Sequence, residues 1–351
     1  MATSRPEASV HGFLKPFTPL LEDPDVTEIV INGNNQVAFE KDSIWTPSEI
    51  ELDGDHALSL GTAVGRYVSQ TWSEKTPLLS ASVPMPGQLD PSGLGEAREL
   101  RFQLVCPAAV PRGSYSITMR KPAMIERSLD DFDKSGLFAS VKPAAKEVSE
   151  SDQNLLSLRD SGMYKEFLSR CVRERKNIVV AGATGSGKTT FMKGLVNEIP
   201  LNERLVTIED VRELRLPHWN KVHLLYSKGG QGSSDVSAKQ LLEACLRMKP
   251  SRILLAELRG DECLYYVRNA ASGHPGSITS VHAGTPALAF EQMALLIKDS
   301  PGGAYMDMAV IMRLLKLTID VIVQFQNIDG KRFISEIWFD PQGKIQAGEI
   351  K

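Results

Sequence analysis

The chain has 351 residues, 42% of them hydrophobic and 24% charged, with a formal net charge of −3. That length makes two domains the natural expectation, and the charge balance lacks the basic excess of a chain built to grip nucleic acid, local patches aside. Cys106, Cys171, Cys245 and Cys263 form no C-x-x-C pair, which argues against a zinc site or a disulfide framework and fits a reducing cytoplasm.

The first residues, Met-Ala-Thr-Ser-Arg-Pro-Glu, contain no apolar run, so no signal peptide is expected. Val26-Thr-Glu-Ile-Val-Ile-Asn32 predicts a strand that turns at Asn32-Gly33 into a return strand at 36–40. Residues 56–73 carry a helical apolar stripe, and 100–105 and 114–120 alternate like half-buried strands joined by a Pro/Gly-rich turn. Residues 1–139 therefore predict an α+β domain. Polar, aromatic-poor residues 140–160 predict a linker with room for a short helix, and residues 161–351 a second domain.

In that second domain, strands are expected at 177–181, 205–209, 222–226, 253–257, 277–282 and 321–326. Helical patterns fall at 189–197, 238–248, 262–272, 287–298 and 304–317. Such alternation predicts a mainly parallel sheet covered on both faces, closed by a hairpin around 327–330. The most apolar stretch, 309–325, is interrupted by Arg313, Lys316 and Asp320. It is not expected to span a bilayer, so membrane contact would be peripheral.

Gly182-Ala-Thr-Gly-Ser-Gly-Lys-Thr189 has the form G-x-x-x-x-G-K-T between a buried strand and a helix, the context that a phosphate-binding loop requires. Glycines let several N–H groups converge on phosphate oxygens, and the helix N-terminus adds its partial positive charge. Gly182, Ala183, Thr184, Gly185, Ser186, Gly187, Lys188, Thr189 and Thr190 are the expected contacts to ATP. Lys188 would reach the β/γ-phosphates, and Thr189 would ligate Mg²⁺.

Ligands of such sheets sit at the carboxyl ends of the strands. Glu209 and Asp210 could hold Mg²⁺ there; the alternative is that Asp210 caps the following turn and Glu209 is solvated. Glu257 could orient an attacking water, with Arg259 pairing with a carboxylate or facing another subunit. His282 could report on the γ-phosphate, whereas His274, between Gly and Pro, suits a tight turn equally well.

Four segments in this order resemble the secretion-superfamily traffic ATPases, most closely the type IV secretion branch. Residues 182–189 match the Walker A box, and 205–214 resemble the Asp box. Residues 247–260 are similar to an atypical Walker B with glutamate in place of aspartate, and 273–285 to the His box. The resemblance implies a RecA-like P-loop domain after the α+β domain, and ATP hydrolysis with Mg²⁺. It implies catalytic roles for Lys188, Glu209, Glu257, His282 and two arginines of the first domain, Arg101 and Arg120, reaching over the nucleotide. It also implies a homohexamer at the cytoplasmic side of an inner-membrane apparatus, moving macromolecular cargo. In some relatives a long linker places the first domain on a neighbour's ATPase domain. A pilus-retraction motor, a type II secretion motor (disfavoured by the missing four-cysteine module) and a nucleotide-gated scaffold without turnover are the alternatives.

Overall fold

The structure, a computed structural model, describes residues 7–33, 35–89, 97–123, 127–141, 146–227 and 234–349. Residues 1–6, and 142–145 of the expected linker, lie outside them.

The first domain starts with helices α1 (Ala8–Leu14) and α2 (Thr18–Glu22). The expected hairpin follows as β1 (Val26–Gly33) and β2 (Gln36–Lys41), then β3 (Ile44–Pro47), α3 (His56–Tyr67), β4 (Leu78–Leu89), β5 (Ala97–Val105) and β6 (Tyr115–Arg120). The strands form one antiparallel sheet in the order β3-β2-β1-β6-β5-β4. Strand alternation gives this sheet two unlike faces. Ile29, Ile31, Phe102, Leu104, Ile117 and Met119 pack beneath α1 and α3. Glu28, Asn32, Gln103, Ser116 and Thr118 are buried on the opposite alternation.

Two expectations change here. Helix α3 ends at Tyr67, short of Ser73, because Ser69 takes a positive φ of 56° and the chain reverses. Trp72 then returns over Gly61, where a Cβ would stand 2.0 Å from a ring carbon. Strand β4 was not foreseen. It contains Pro84 and Pro86, which lack an N–H to donate, and it lies at the sheet edge, where that loss is tolerated.

The expected linker is shorter than its composition suggests. After α4 (Leu129–Lys134), helix α5 (Glu150–Asp160) begins at Ser149, whose side chain accepts from the Asp152 amide. Leu155 of α5 is fully buried in one core with Phe167 and Cys171 of α6 (Tyr164–Arg173), so residues 150–160 pack as part of the second domain.

That domain continues through β7 (Ile178–Gly182), α7 (Lys188–Val196), β8 (Leu205–Glu209), β9 (Lys221–Leu225), α8 (Ala238–Cys245) and β10 (Arg252–Leu255). It ends with α9 (Glu262–Ala271), β11 (Ile278–Val281), α10 (Pro286–Asp299), α11 (Met308–Thr318), β12 (Val321–Ile328), β13 (Lys331–Phe339) and α12 (Pro341–Gly348). The sheet order is β13-β12-β7-β11-β10-β8-β9, parallel throughout except for β13. Separate apolar cores cover its two faces. No helix among the described residues is long and apolar enough to cross a membrane.

The polar face of the first sheet meets the second domain. Arg204, fully buried, donates Nη1 to Asn32 Oδ1 (2.9 Å) and Asn220 Oδ1 (2.5 Å), and Nε to the Met248 carbonyl (3.0 Å). Its guanidinium carbon lies 5.2 Å from the Trp45 ring centroid. Lys249 pairs with Glu40 at 2.9 Å, and Ala109 and Val110 enter the second domain's core.

Candidate functional site

The phosphate loop is shaped by what stands behind it. A Cβ at Gly182 would lie 2.9 Å from Phe325 of β12 and 2.9 Å from Ser186 Oγ, so only glycine allows this close approach. Gly187, at φ 102°, turns the chain into α7, whose first turn carries no acidic residue to oppose an anion. Residues 184–190 line a cavity of about 330 Å³ together with Asp210, Glu213, Glu257, Arg259, Ser280, His282 and Arg332. Gly182 and Ala183 instead offer their carbonyls to Lys188 Nζ, at 2.7 and 2.8 Å.

Charges are linked across this cavity. Lys188 Nζ is also 3.4 Å from His282 Nδ1, and burial lowers the pKa of its ammonium. His282 Nε2 sits against Glu257 Oε1, while Arg259 Nη2 grips Glu257 Oε2. Arg259 Nη1 then lies 3.3 Å from Asp210 Oδ2, and the hydrogen bond to Glu257 raises the Arg259 pKa. Glu262 accepts from the Arg259 and Gly260 amides (2.6 and 2.9 Å), fixing the turn that carries Arg259. Strand ends thus bring Lys188, Glu257 and His282 together as their positions in the sequence imply.

Glu209 has another task. It is fully buried and absent from the cavity lining. Its Oε1 accepts from the Glu213 and Leu214 amides at 2.9 and 2.8 Å, and its Oε2 from the Thr207 hydroxyl at 3.0 Å. Burial alone would raise its carboxyl pKa, yet the neighbouring His223 ring (3.7 Å) and hydrogen bonds from Leu214, Glu213 and Thr207 hold it below the ordinary value. In this geometry Glu209 anchors the loop after β8, which carries Asp210 and Glu213 to the cavity, and does not itself line that cavity.

For Mg²⁺, the Thr189 hydroxyl and Asp210 carboxylate lie on the same cavity. Such oxygen donors fit a cation that keeps most of its shell from water and phosphates, and no cage of three or more His, Cys, Asp or Glu exists among the described residues. His274 Nδ1 donates to the Pro250 carbonyl (3.2 Å), which ties the turn at 273–276 to the residues before β10.

Arg101 and Arg120 line a different cavity, of about 300 Å³, with Glu28, Arg247 and Lys249. Within one chain they do not close over the phosphate loop, so a clamp formed by one chain's own two domains is not what the structure presents. Glu213, Ser280 and Arg332 were not singled out from sequence. Glu213 and Arg332 arrive on a loop and a hairpin, and Ser280 lies inside a short apolar strand.

The family profile described as "Type II/IV secretion system protein" matches residues 143–326. "Type IV secretion system protein VirB11" of Brucella suis biovar 1 (strain 1330) is 46% identical over 344 residues, covering 96% of this chain and 92% of that protein. "Protein VirB11" of Rhizobium radiobacter is 35% identical, covering 98% and 97%. The crystal structure of the Brucella suis VirB11 ATPase superposes with a TM-score of 0.89 at 44% identity, covering 98% of both chains. With these relatives spanning both domains and the phosphate loop in place, the chain belongs to the VirB11 family of type IV secretion ATPases.

Proposed function

We propose that this chain hydrolyses ATP in the phosphate-loop cavity and couples turnover to the export of DNA, protein or both, and to pilus building, by a type IV secretion or conjugation apparatus. The supporting observation is the continuous set Lys188, His282, Glu257, Arg259 and Asp210 around one cavity. Binding alone needs only the loop; a carboxylate held between a histidine and an arginine supplies what hydrolysis adds. Lys188 exchanges the Gly182 and Ala183 carbonyls for phosphate oxygens. Glu257 orients water for attack on the γ-phosphate and takes its proton as the bond to ADP breaks, and His282 donates to the phosphate. Thr189 and, through water, Asp210 would hold Mg²⁺, which would supply charge neutralisation on the phosphates.

We further infer a homohexamer, peripheral to the cytoplasmic face of the inner membrane, in which Arg101 and Arg120 complete a neighbour's site. Their place on a separate cavity of their own chain favours this arrangement. Arginines delivered by domain movement are worth several kcal/mol in phosphoryl transfer. Mixing Arg120→Ala with Lys188→Gln subunits should restore part of the turnover that each lacks; failure to do so contradicts the shared site.

The test of function is phosphate release by the purified protein and by Lys188→Gln. Turnover lost in the variant, with nucleotide-free stability retained, is the expected result. Equal turnover would remove the phosphate loop from the chemistry, and tight ATP binding without turnover in either protein would make the chain a scaffold.

A further inference from the structure

Glu28 is a carboxylate that neither the fold nor the nucleotide cavity accounts for. Cross-strand register places it opposite Glu40 on β2 and opposite Arg120 on β6. Arg120 in turn stands opposite Arg101 on β5, and Arg101 opposite Ser82 on β4. Adjacent strands therefore line up Glu40, Glu28, Arg120, Arg101 and Ser82 in one row, neighbours on one face of the sheet.

The two acids in the row are treated differently. Glu40 Oε2 accepts from Thr27 Oγ1 at 2.6 Å and from Lys249 at 2.9 Å. Glu28, whose side chain is 3% exposed, has Oε1 3.7 Å from Arg120 Nε, too far for a hydrogen bond, and its buried Oε2 has no partner. Such burial is costly for a carboxylate, and no element of the fold is held by it. Arg120 is 64% exposed, and among the described residues no hydrogen bond holds its guanidinium. Among the described residues, Glu28 is also the one carboxylate on a cavity that Arg101, Arg120, Arg247 and Lys249 line. A phosphate entering that cavity would offer Arg120 the two-pronged contact that Glu28 does not.

We propose that Glu28 is the positioning residue of the arginine pair: it holds Arg120 in place across the strands and competes with nucleotide phosphate for it, so that its charge weakens nucleotide binding. This rests on the reading that Arg101 and Arg120 serve a neighbouring subunit's nucleotide. Release of Arg120 costs little because no hydrogen bond is broken. Burial pushes the Glu28 carboxyl up to about 7, with Glu40 on β2 raising it and Lys249, Arg120 and Arg204 lowering it. Arg101 on β5 and Arg247 after α8 complete the charges around it. The competing charge is present above that value and absent below it.

The test is equilibrium titration of the assembled full-length protein with a fluorescent non-hydrolysable ATP analogue and Mg²⁺, at about pH 6 and about pH 8.5. Glu28→Gln should bind roughly fivefold more tightly than the unsubstituted protein at the higher pH and equally at the lower. Glu28→Asp, which keeps the charge, should keep the pH dependence. Arg120→Ala should weaken binding at both. If Arg120→Ala weakens binding while Glu28→Gln behaves like the unsubstituted protein at both pH values, Glu28 does not compete and the proposal falls alone. If Arg120→Ala binds normally and turns over normally, the shared-site reading falls as well. A Glu28→Gln protein that is misfolded leaves the Glu28→Asp comparison decisive: loss of pH dependence there overturns the competition.

Discussion

Arg204 and Asn32 join the two domains through a single buried guanidinium nitrogen, 2.9 Å from the Asn32 amide oxygen. Among the described residues no carboxylate pairs with Arg204; burial lowers its pKa to about 10, opposed by the charge of Glu28. Removing it takes a donor from Asn32 Oδ1 and the Met248 carbonyl, and leaves Asn220 Oδ1 only its contact with Asn32 Nδ2 at 2.9 Å. Arg204→Ala should cost about 3 kcal/mol in denaturant unfolding. Arg204→Met, which fills the space without a charge, should recover part of that loss. Equal stability in all three proteins would mean that the domains are joined elsewhere.

Gly61 makes room for Trp72, which folds back over α3 after the reversal at Ser69. Gly61→Ala brings its Cβ to 2.0 Å from the ring, so the ring must leave its place over the helix. A loss of about 2 kcal/mol is expected, with a change in tryptophan fluorescence. Unchanged emission and stability would contradict the packing.

Glu28 also leaves a mark on stability. A carboxyl raised from 4.5 in the unfolded chain to about 7 in the folded one favours the fold below pH 4.5, and that contribution is lost as pH rises through about 7. Glu28→Gln removes the penalty. The variant should therefore melt like the unsubstituted protein in acid and be more stable above about pH 7, by at most about 3 kcal/mol. A difference that does not grow with pH would deny Glu28 its raised pKa.

Much of the nucleotide site was legible because strand ends are conspicuous. The phosphate loop at 182–189, Glu257 and His282 each follow an apolar strand, and the parallel sheet gathers such ends. Glu209 was equally conspicuous and led elsewhere, because its neighbour-facing geometry depends on the path of 210–214. A sequence does not reveal that the Glu213 and Leu214 amides turn back upon it. Strand β4 was hidden by its prolines, and α5 by polar residues that surround a single buried Leu155. Arg101 and Arg120 could be picked out by resemblance, but which cavity they line is set by how the domains pack, which local pattern does not encode.

The roles of two glutamates separate most directly in one comparison: steady-state phosphate release and thermal melting of Glu257→Gln beside Glu209→Gln. Glu257→Gln should retain its melting temperature and ATP binding while losing turnover by roughly 100-fold or more. Glu209→Gln should first lose stability, by about 1–3 kcal/mol, as the Glu213 and Leu214 amides lose their charged acceptor. Its remaining folded fraction should turn over ATP. Turnover abolished in Glu209→Gln at an unchanged melting temperature, with Glu257→Gln still active, would contradict the account.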